Sequence, residues 1–344
     1  MMKETVITIC GGGSIGHVTA GVCGSCKNAV VNILTGHPER WSNIVSVSDP
    51  NSKIFKGCLH SITSNPKDVI PESDIVYLCV PGYLIEKTLQ TIAPYLKQTC
   101  SVGTCVSSSG FFFAAERTLP ASTRLFGFQR VPYIARVNEY GKSASLLGYK
   151  PVLKLAVKNI SNSEDLKEQL SSLLLTPIEL LPNYFDAALT NSNPILHPSR
   201  LYGLWHDWQP GIVYPRQTLF YEEWDLFSAQ VLVACDEEFF AVRSKTDATP
   251  DGLPRLLDYY ESTNAAELAE KLRNIPAFKH IPAPMIKTEN GFLPDWGNRY
   301  FLEDFPFGLK IVKKLADKFQ VNVPTIDKIL AWADKMPVPW INNR

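Results

Sequence analysis

No stretch of the 344-residue chain approaches the roughly 20 consecutive apolar residues that a membrane span requires. A charge bias is also missing. Lys plus Arg and Asp plus Glu both number 34, so the net charge is zero. That balance argues against nucleic acid or an anionic membrane as the main partner, while leaving room for a local basic pocket that takes a small anion. The opening, MMKETVITIC, passes from a few polar residues into a β-branched run without the character of a secretory leader, and a cytoplasmic location is expected. A disulfide framework is absent too. Eight cysteines are scattered, mostly inside apolar stretches (Cys10, Cys79, Cys105, Cys235), as buried thiols in a reducing compartment would be. CGSC at 23–26 has redox spacing but falls at the end of a predicted helix. No second CxxC or histidine pair follows it to complete a metal site, so these cysteines read as structural and no metal is expected. Neither internal repeats nor low-complexity segments are found.

What is present is an ordinary globular composition, 45% apolar and 20% charged, in a chain long enough for two domains. The first half alternates strands and helices. TVITIC (5–10) is a short strand, GGGSIG follows, and a helix runs to about Cys23. AVVNILT (29–35), DIVYLCVP (74–81) and CSVGTCV (100–106) read as buried strands. GYLIEKTLQTIAPYL (82–96) is helical, with Leu84, Thr88, Ile92 and Leu96 in one row. This pattern predicts a Rossmann-like, doubly wound parallel sheet over residues 1–160. Residues 161–344 read as a mostly α-helical domain. Ser163 is its first N-cap, with Leu166, Leu170 and Leu173 on one face. A long helix is expected over 221–245, with Phe227, Val231, Cys235 and Phe239 inward. Another spans 307–319, with Phe307, Ile311, Leu315 and Phe319 inward. Substrate is expected in the cleft between the two domains.

Gly11, Gly13 and Gly16 form G-x-G-x-x-G between the first strand and its helix. Gly11 allows the tight turn, Gly13 lets backbone approach a pyrophosphate, and Gly16 lets helix and strand pack closely. Free N–H groups at the helix start, around Ser14 and Ile15, would receive the phosphate. An NAD site normally has Asp or Glu at the end of the second strand. Here the chain reads LTGHPERW, with Thr35, His37 and Arg40 and no carboxylate at the expected place. Arg40 favours the 2′-phosphate of NADP over NAD, with Asp49 the alternative ribose ligand for NAD.

Two later segments carry chemistry. SNPILHPSRLYG (192–203) holds His197 between Pro194 and Pro198. GNRYFLEDFPFGL (297–309) places Pro306 in a first helical turn and Asp304 at or beside the N-cap, where the dipole favours an anion. Arg299 lies five residues before Asp304 and is able to clamp a carboxylate with two parallel hydrogen bonds. Taken singly, a loop histidine, a cap and a surface arginine would explain these residues.

Taken together, NPILHP and RYFLEDFPFGL resemble the octopine/nopaline (opine) dehydrogenase family. The resemblance extends over the whole chain, through CVPGY, QRVPYIARVNEYGKSASLLGYK, FYEEWD and NVPTIDKILAWA. It departs at Ser14 and Ile15, where family members often have Asn and Gly. The resemblance implies reductive condensation of an amino acid with a 2-oxo acid by NAD(P)H, through an imine. It implies His197 as acid/base, Asp304 as its partner and Arg299 on a substrate carboxylate. It also puts Asn193 at the substrate, and Val80 and Pro81 beside the cofactor. His206, nearby in sequence, reads as structural or substrate-lining. Small-molecule substrates are thus the expected partners, and a homodimer is compatible with the sequence. Two alternatives remain at this stage: a 2-oxo or 3-hydroxy acid dehydrogenase acting on C=O without an amine, and a non-catalytic NAD(P) sensor.

Overall fold

A computed structural model describes residues 4–339, and the chain divides between Ala188 and Leu189 into two compact units. Each is described by itself. The boundary lies later than the 160/161 junction read from composition, because residues 163–188 complete the first unit.

The first unit is built on an eight-stranded sheet. In chain order its strands are β1 (Thr5–Cys10), β2 (Ala29–Leu34), β5 (Ser61–Thr63), β6 (Ile75–Leu78), β7 (Ser101–Thr104), β8 (Arg124–Phe128), β11 (Leu153–Lys158) and β12 (Ile178–Leu180). The spatial order is β12-β11-β8-β7-β6-β1-β2-β5. All pairs are parallel except β8 with β11. Alternate side chains feed two cores, one on each face. Ile7, Ile9, Ile75 and Tyr77 join Val18 of helix α1 (Ser14–Cys23) and Leu166 of α4 (Ser163–Leu174). Cys10, Val76 and Leu78 join Ile85 of α2 (Gly82–Ile92) and Phe111 of α3 (Phe111–Thr118). Each fully buried Ile, Val or Leu side chain contributes about 1.5–3 kcal/mol. The unit ends in one short helical turn, α5 (Phe185–Ala188).

A second sheet, not anticipated from the sequence, comprises β3 (Ile44–Ser48), β4 (Ile54–Cys58), β9 (Tyr133–Glu139) and β10 (Ser143–Tyr149), ordered β4-β3-β10-β9. It packs on α1, which explains why that helix is small and apolar all round. A Cβ on Gly21 would lie 2.3 Å from Val47, so only glycine permits the contact.

The second unit is mostly helical. Its helices are α6 (Asn193–Trp205), α7 (Leu226–Arg243), α8 (Leu256–Tyr259), α9 (Ala265–Asn274), α10 (Arg299–Leu302), α11 (Lys310–Phe319) and α12 (Pro324–Ala333). A hairpin of β13 (Met285–Thr288) and β14 (Gly291–Pro294) interrupts them.

Several local expectations shift. The buried row of α2 is Gly82, Ile85, Leu89 and Ile92; of the expected row Ile92 is buried, Leu84 and Thr88 are only partly so, and Leu96 lies beyond the helix. Asn162, not Ser163, caps α4, its side chain accepting from the Asp165 N–H. The long helix begins only after Asp225, whose carboxylate caps it, and Phe227 is 38% exposed. In the last amphipathic stretch, Phe305, Gly308, Leu309, Val312, Leu315 and Ala316 face inward, while Phe307, Ile311 and Phe319 are only partly buried. The cause is a wide π turn at Phe305–Leu309 ahead of α11. The wider turn rotates the inward face relative to a regular 3.6-residue count.

Candidate functional site

The glycine loop leaves β1 at Gly11, whose φ of +122° suits glycine, and a Cβ there would strike the Cys79 carbonyl at 2.5 Å. Gly16 is equally tight, 2.1 Å from the Gly11 carbonyl by the same measure. Gly13 differs: no atom lies within 4 Å of where its Cβ would be, and it caps α1 with no side chain covering the first N–H groups. An open glycine at an uncapped helix start is the cradle a dinucleotide pyrophosphate requires, so the residues fit the cofactor read from the sequence. Val80 lies against Gly11, and Pro81 caps α2. Ser14 is partly spent on structure, its hydroxyl accepting from the Val137 N–H at 3.3 Å, and Ile15 packs against the core.

Thr35 and Arg40 converge on Tyr140 of the β9–β10 turn, a residue that sequence reasoning missed. The Thr35 hydroxyl is 3.5 Å from the Tyr140 hydroxyl, and the Arg40 guanidinium lies 4.3 Å from the ring centroid. No carboxylate ends β2. His37 does not join this group; it is exposed and faces Glu39 at 3.5 Å. Asp49 sits in the β3–β4 turn with its carboxylate taken by the N–H groups of Asn51 and Lys53 and by the Tyr149 hydroxyl, which removes it as a ribose ligand. Beneath the loop, buried His17 ties the parts together. Its Nδ1–H donates to the Gly13 carbonyl at 3.0 Å and its Nε2 accepts from the Gly141 N–H at 2.7 Å. Burial holds its ionisation below the usual histidine range, against the opposing pull of the Gly13 carbonyl.

In the second unit His197 stands on α6 rather than in a loop. Pro194 occupies the first turn and Pro198 lies inside the helix, so the prolines bracket it on a helical backbone. Its Nδ1 is 2.7 Å from Asp304 Oδ2, although 107 residues separate the two in the chain. The histidine is 5% exposed. Asp304 sits at the N-cap position, as expected, but makes no side-chain cap bond; its carboxylate goes to the imidazole. The π turn after Asp304 brings this about. A Cβ on Gly308 would lie 2.8 Å from Pro194, so glycine lets that turn press against the start of α6.

The other partners of His197 were missed. Nε2 is 3.2 Å from the Tyr221 hydroxyl, Tyr300 stacks on the ring at 4.0 Å, and Phe220 meets it edge-on at 5.6 Å. Tyr221 and Phe220 are set in place by Arg200, one turn beyond His197 and fully buried. Arg200 donates to the carbonyls of Phe220 (2.8 Å) and Glu223 (2.7 Å), to Asp225 Oδ2 (2.7 Å) and to the Ser228 hydroxyl (3.0 Å). Burial lowers its ionisation and Asp225 offsets this. The available signals were the HPSR spacing, which puts Arg200 on the helix that carries His197, and the FYEEWD segment.

Arg299 opens α10 with an exposed side chain and lines a cavity of about 280 Å³ with Gln217, Asp295, Asn298 and Tyr300. Asn193, at the first position of α6, is exposed and makes no side-chain hydrogen bond among the described residues, so it does not join the His197 cluster. His206 ends α6 and packs on Tyr202 and Phe227, a structural placement. No group of His, Cys, Asp or Glu among the described residues could hold a metal, and Cys23 and Cys26 are free thiols bonded to backbone carbonyls. No described helix is long and apolar enough to cross a membrane.

A carboxylate on Nδ1 fixes an imidazole in one tautomer and stabilises its protonated form, which suits Nε2 to proton transfer. Comparison with known proteins agrees in kind. Residues 180–337 match the family described as NAD/NADP octopine/nopaline dehydrogenase, alpha-helical domain. The chain is 29% identical to octopine dehydrogenase of Mizuhopecten yessoensis, covering 96% of this chain and 89% of that protein. Against tauropine dehydrogenase of Arabella iricolor it is 28% identical, covering 96% and 91%. A solved octopine dehydrogenase with NADH and L-arginine superimposes with a TM-score of 0.87 at 26% identity, covering 96% of this chain and 89% of that one. NADP+-bound yersinopine dehydrogenase, at 15% identity and a TM-score of 0.72, shares the fold. The chain is thus similar to octopine dehydrogenases over nearly its whole length, and residues 180–337 match the alpha-helical domain of the octopine/nopaline dehydrogenases.

Proposed function

We propose that the protein is an NAD(P)H-dependent opine dehydrogenase in which His197 is the acid/base, Asp304 its orienting partner and Arg299 the clamp for a substrate carboxylate. The observation that carries this reading is the 2.7 Å contact between His197 and Asp304 in a largely buried setting. Amine and 2-oxo acid add to form a carbinolamine. Its nitrogen lone pair expels the oxygen, which leaves as water with the proton from His197 Nε2–H. When bound, the dinucleotide supplies hydride to the resulting C=N carbon. Asp304 holds Nδ1–H throughout, and a positioned acid of this kind is worth roughly 10²–10⁴-fold in rate. Arg299, lining a cavity with Asn298 and Gln217, fits the planar carboxylate of a 2-oxo acid. The relatives and solved structures named for octopine, tauropine, L-arginine, pyruvate and agmatine direct attention to amino acids and pyruvate as first substrates to try.

For the cofactor, the stacked Arg40 beside Thr35, with no carboxylate at the end of β2, favours the 2′-phosphate of NADPH. Asn193, at the start of α6, is the proposed further substrate contact and His37 the proposed further cofactor contact. All eight cysteines are free, which fits a reducing compartment such as the cytoplasm.

The test is a panel of amino acids with pyruvate and with 2-oxoglutarate, each with NADH and NADPH. Oxidation of the dinucleotide that requires the amine supports the reading. Oxidation at the same rate without any amine replaces it with a simple C=O reductase.

A further inference from the structure

We propose that the Tyr221 hydroxyl is the positioning group for the proton-carrying nitrogen of His197. The inference rests on the reading of His197 as acid/base. Asp304 occupies Nδ1, so Nε2 is the nitrogen left for the reaction, and the Tyr221 oxygen stands 3.2 Å from it. Stacked Tyr300 and edge-on Phe220 occupy other sides of the ring, so the hydroxyl is the polar partner that Nε2 has among the described residues.

A tyrosine hydroxyl both donates and accepts. Facing the neutral ring, Tyr221 O–H donates to the Nε2 lone pair. Facing the protonated ring, the same oxygen accepts from Nε2–H after a rotation about the C–O bond. The nitrogen is paired in both states, which matters because an unpaired polar atom in a buried site is costly. As the proton passes from Nε2 to the departing water, the hydroxyl turns its own hydrogen toward the bared nitrogen. Tyr221 itself loses no proton. Burial raises its ionisation well above the ordinary tyrosine range, and Tyr300, Tyr260 and Asp304 nearby raise it further. The charged and titratable groups around the pair are therefore Asp304 on Nδ1, Tyr300 on the ring face with Arg299 beside it, and Tyr260 near Tyr221.

The placement is built rather than incidental. Arg200 grips the carbonyls of Phe220 and Glu223 on either side of Tyr221. The phenol ring stacks on Phe278 at 4.2 Å. Replacing the hydroxyl alone leaves both supports in place, so Tyr221→Phe tests the oxygen without disturbing the packing.

The expected result for Tyr221→Phe is an unchanged melting temperature and unchanged dinucleotide affinity, with kcat reduced about tenfold or more. The limb of the kcat/KM–pH profile that reports the acid/base moves to lower pH, because a lost hydrogen bond weakens the charged ring more than the neutral one. An unchanged kcat and pH profile, measured where His197→Ala is inactive, overturns this inference and leaves the acid/base reading standing. Turnover that survives His197→Ala overturns the acid/base reading, and this inference with it.

Discussion

The two chemical regions of this chain are made by different means. The glycine loop of the first unit, proposed to take the dinucleotide, is a backbone site. What matters there is where Cβ atoms are missing: Gly11 and Gly16 lack room for one, and Gly13 leaves space beyond it open. The His197 cluster of the second unit is a side-chain site. His197, Tyr221 and the pair Tyr300 and Asp304 come from three separate stretches of chain and are held by a buried arginine and a π turn. A backbone site is encoded within six consecutive residues and tolerates change elsewhere. A side-chain site depends on every segment that delivers a group to it, so its weak points lie far from the chemistry.

The largest effect should therefore come from a residue that touches neither substrate nor cofactor. Arg200→Ala removes the fully buried guanidinium beside Asp225 and frees four acceptors, which should cost about 3–5 kcal/mol in denaturant unfolding. A loss under 1 kcal/mol would mean the 220–225 segment holds itself. Next, His197→Ala should lower turnover at least a hundredfold, on the order expected for an acid/base, with dinucleotide affinity unchanged. If affinity fell as well, the separation of the two regions would be wrong. Gly13→Val does the converse. Nothing lies within 4 Å of the new Cβ, so melting should stay at the wild-type value while dinucleotide affinity drops at least about tenfold, read by fluorescence titration. Retained affinity would remove the pyrophosphate from this loop.

The smallest effect concerns His17 under the loop. Its ionisation is held down in the folded protein by burial, so the unfolded chain binds the proton more readily. The stability contributed is present above the unfolded value of about 6.5 and is lost as pH falls from there through the lower folded value. Thermal unfolding between pH 7.5 and 5 should show this decline in the wild type and a shallower one in His17→Gln. Parallel curves would show that protonation of His17 contributes nothing to the decline.

Much of the first unit was legible because strand and helix periods are local. β1, α1, β2 and β7 fall where alternation and the glycine motif put them. The second sheet was missed although it consists of two hairpins, β3–β4 and β9–β10, because the pairing of β3 with β10 that joins them spans about a hundred residues and leaves no short-range trace. Asp304 stands at the helix start where the sequence placed it, but its carboxylate bonds the distant imidazole and makes no cap bond, which a local window of sequence does not show. Tyr221 and Arg200 lay within the FYEEWD and HPSR segments but carried no sign of their roles, since a tyrosine in an aromatic run and an arginine on a helix look like ordinary packing and surface.

By itself, then, the amino-acid order settled what depends on neighbours in the chain: the glycine turn that opens a helix, the strands that must bury both faces, and the lack of a carboxylate at the very end of β2. Folding in three dimensions decided what depends on closure between remote segments: that the Asp304 carboxylate reaches an imidazole instead of a helix end, that a hydroxyl waits on the opposite nitrogen, and that a buried arginine holds it there. The division follows from range. Backbone conformation is set within a few residues, whereas a hydrogen bond between side chains is set by where two helices meet, which no single window of sequence contains.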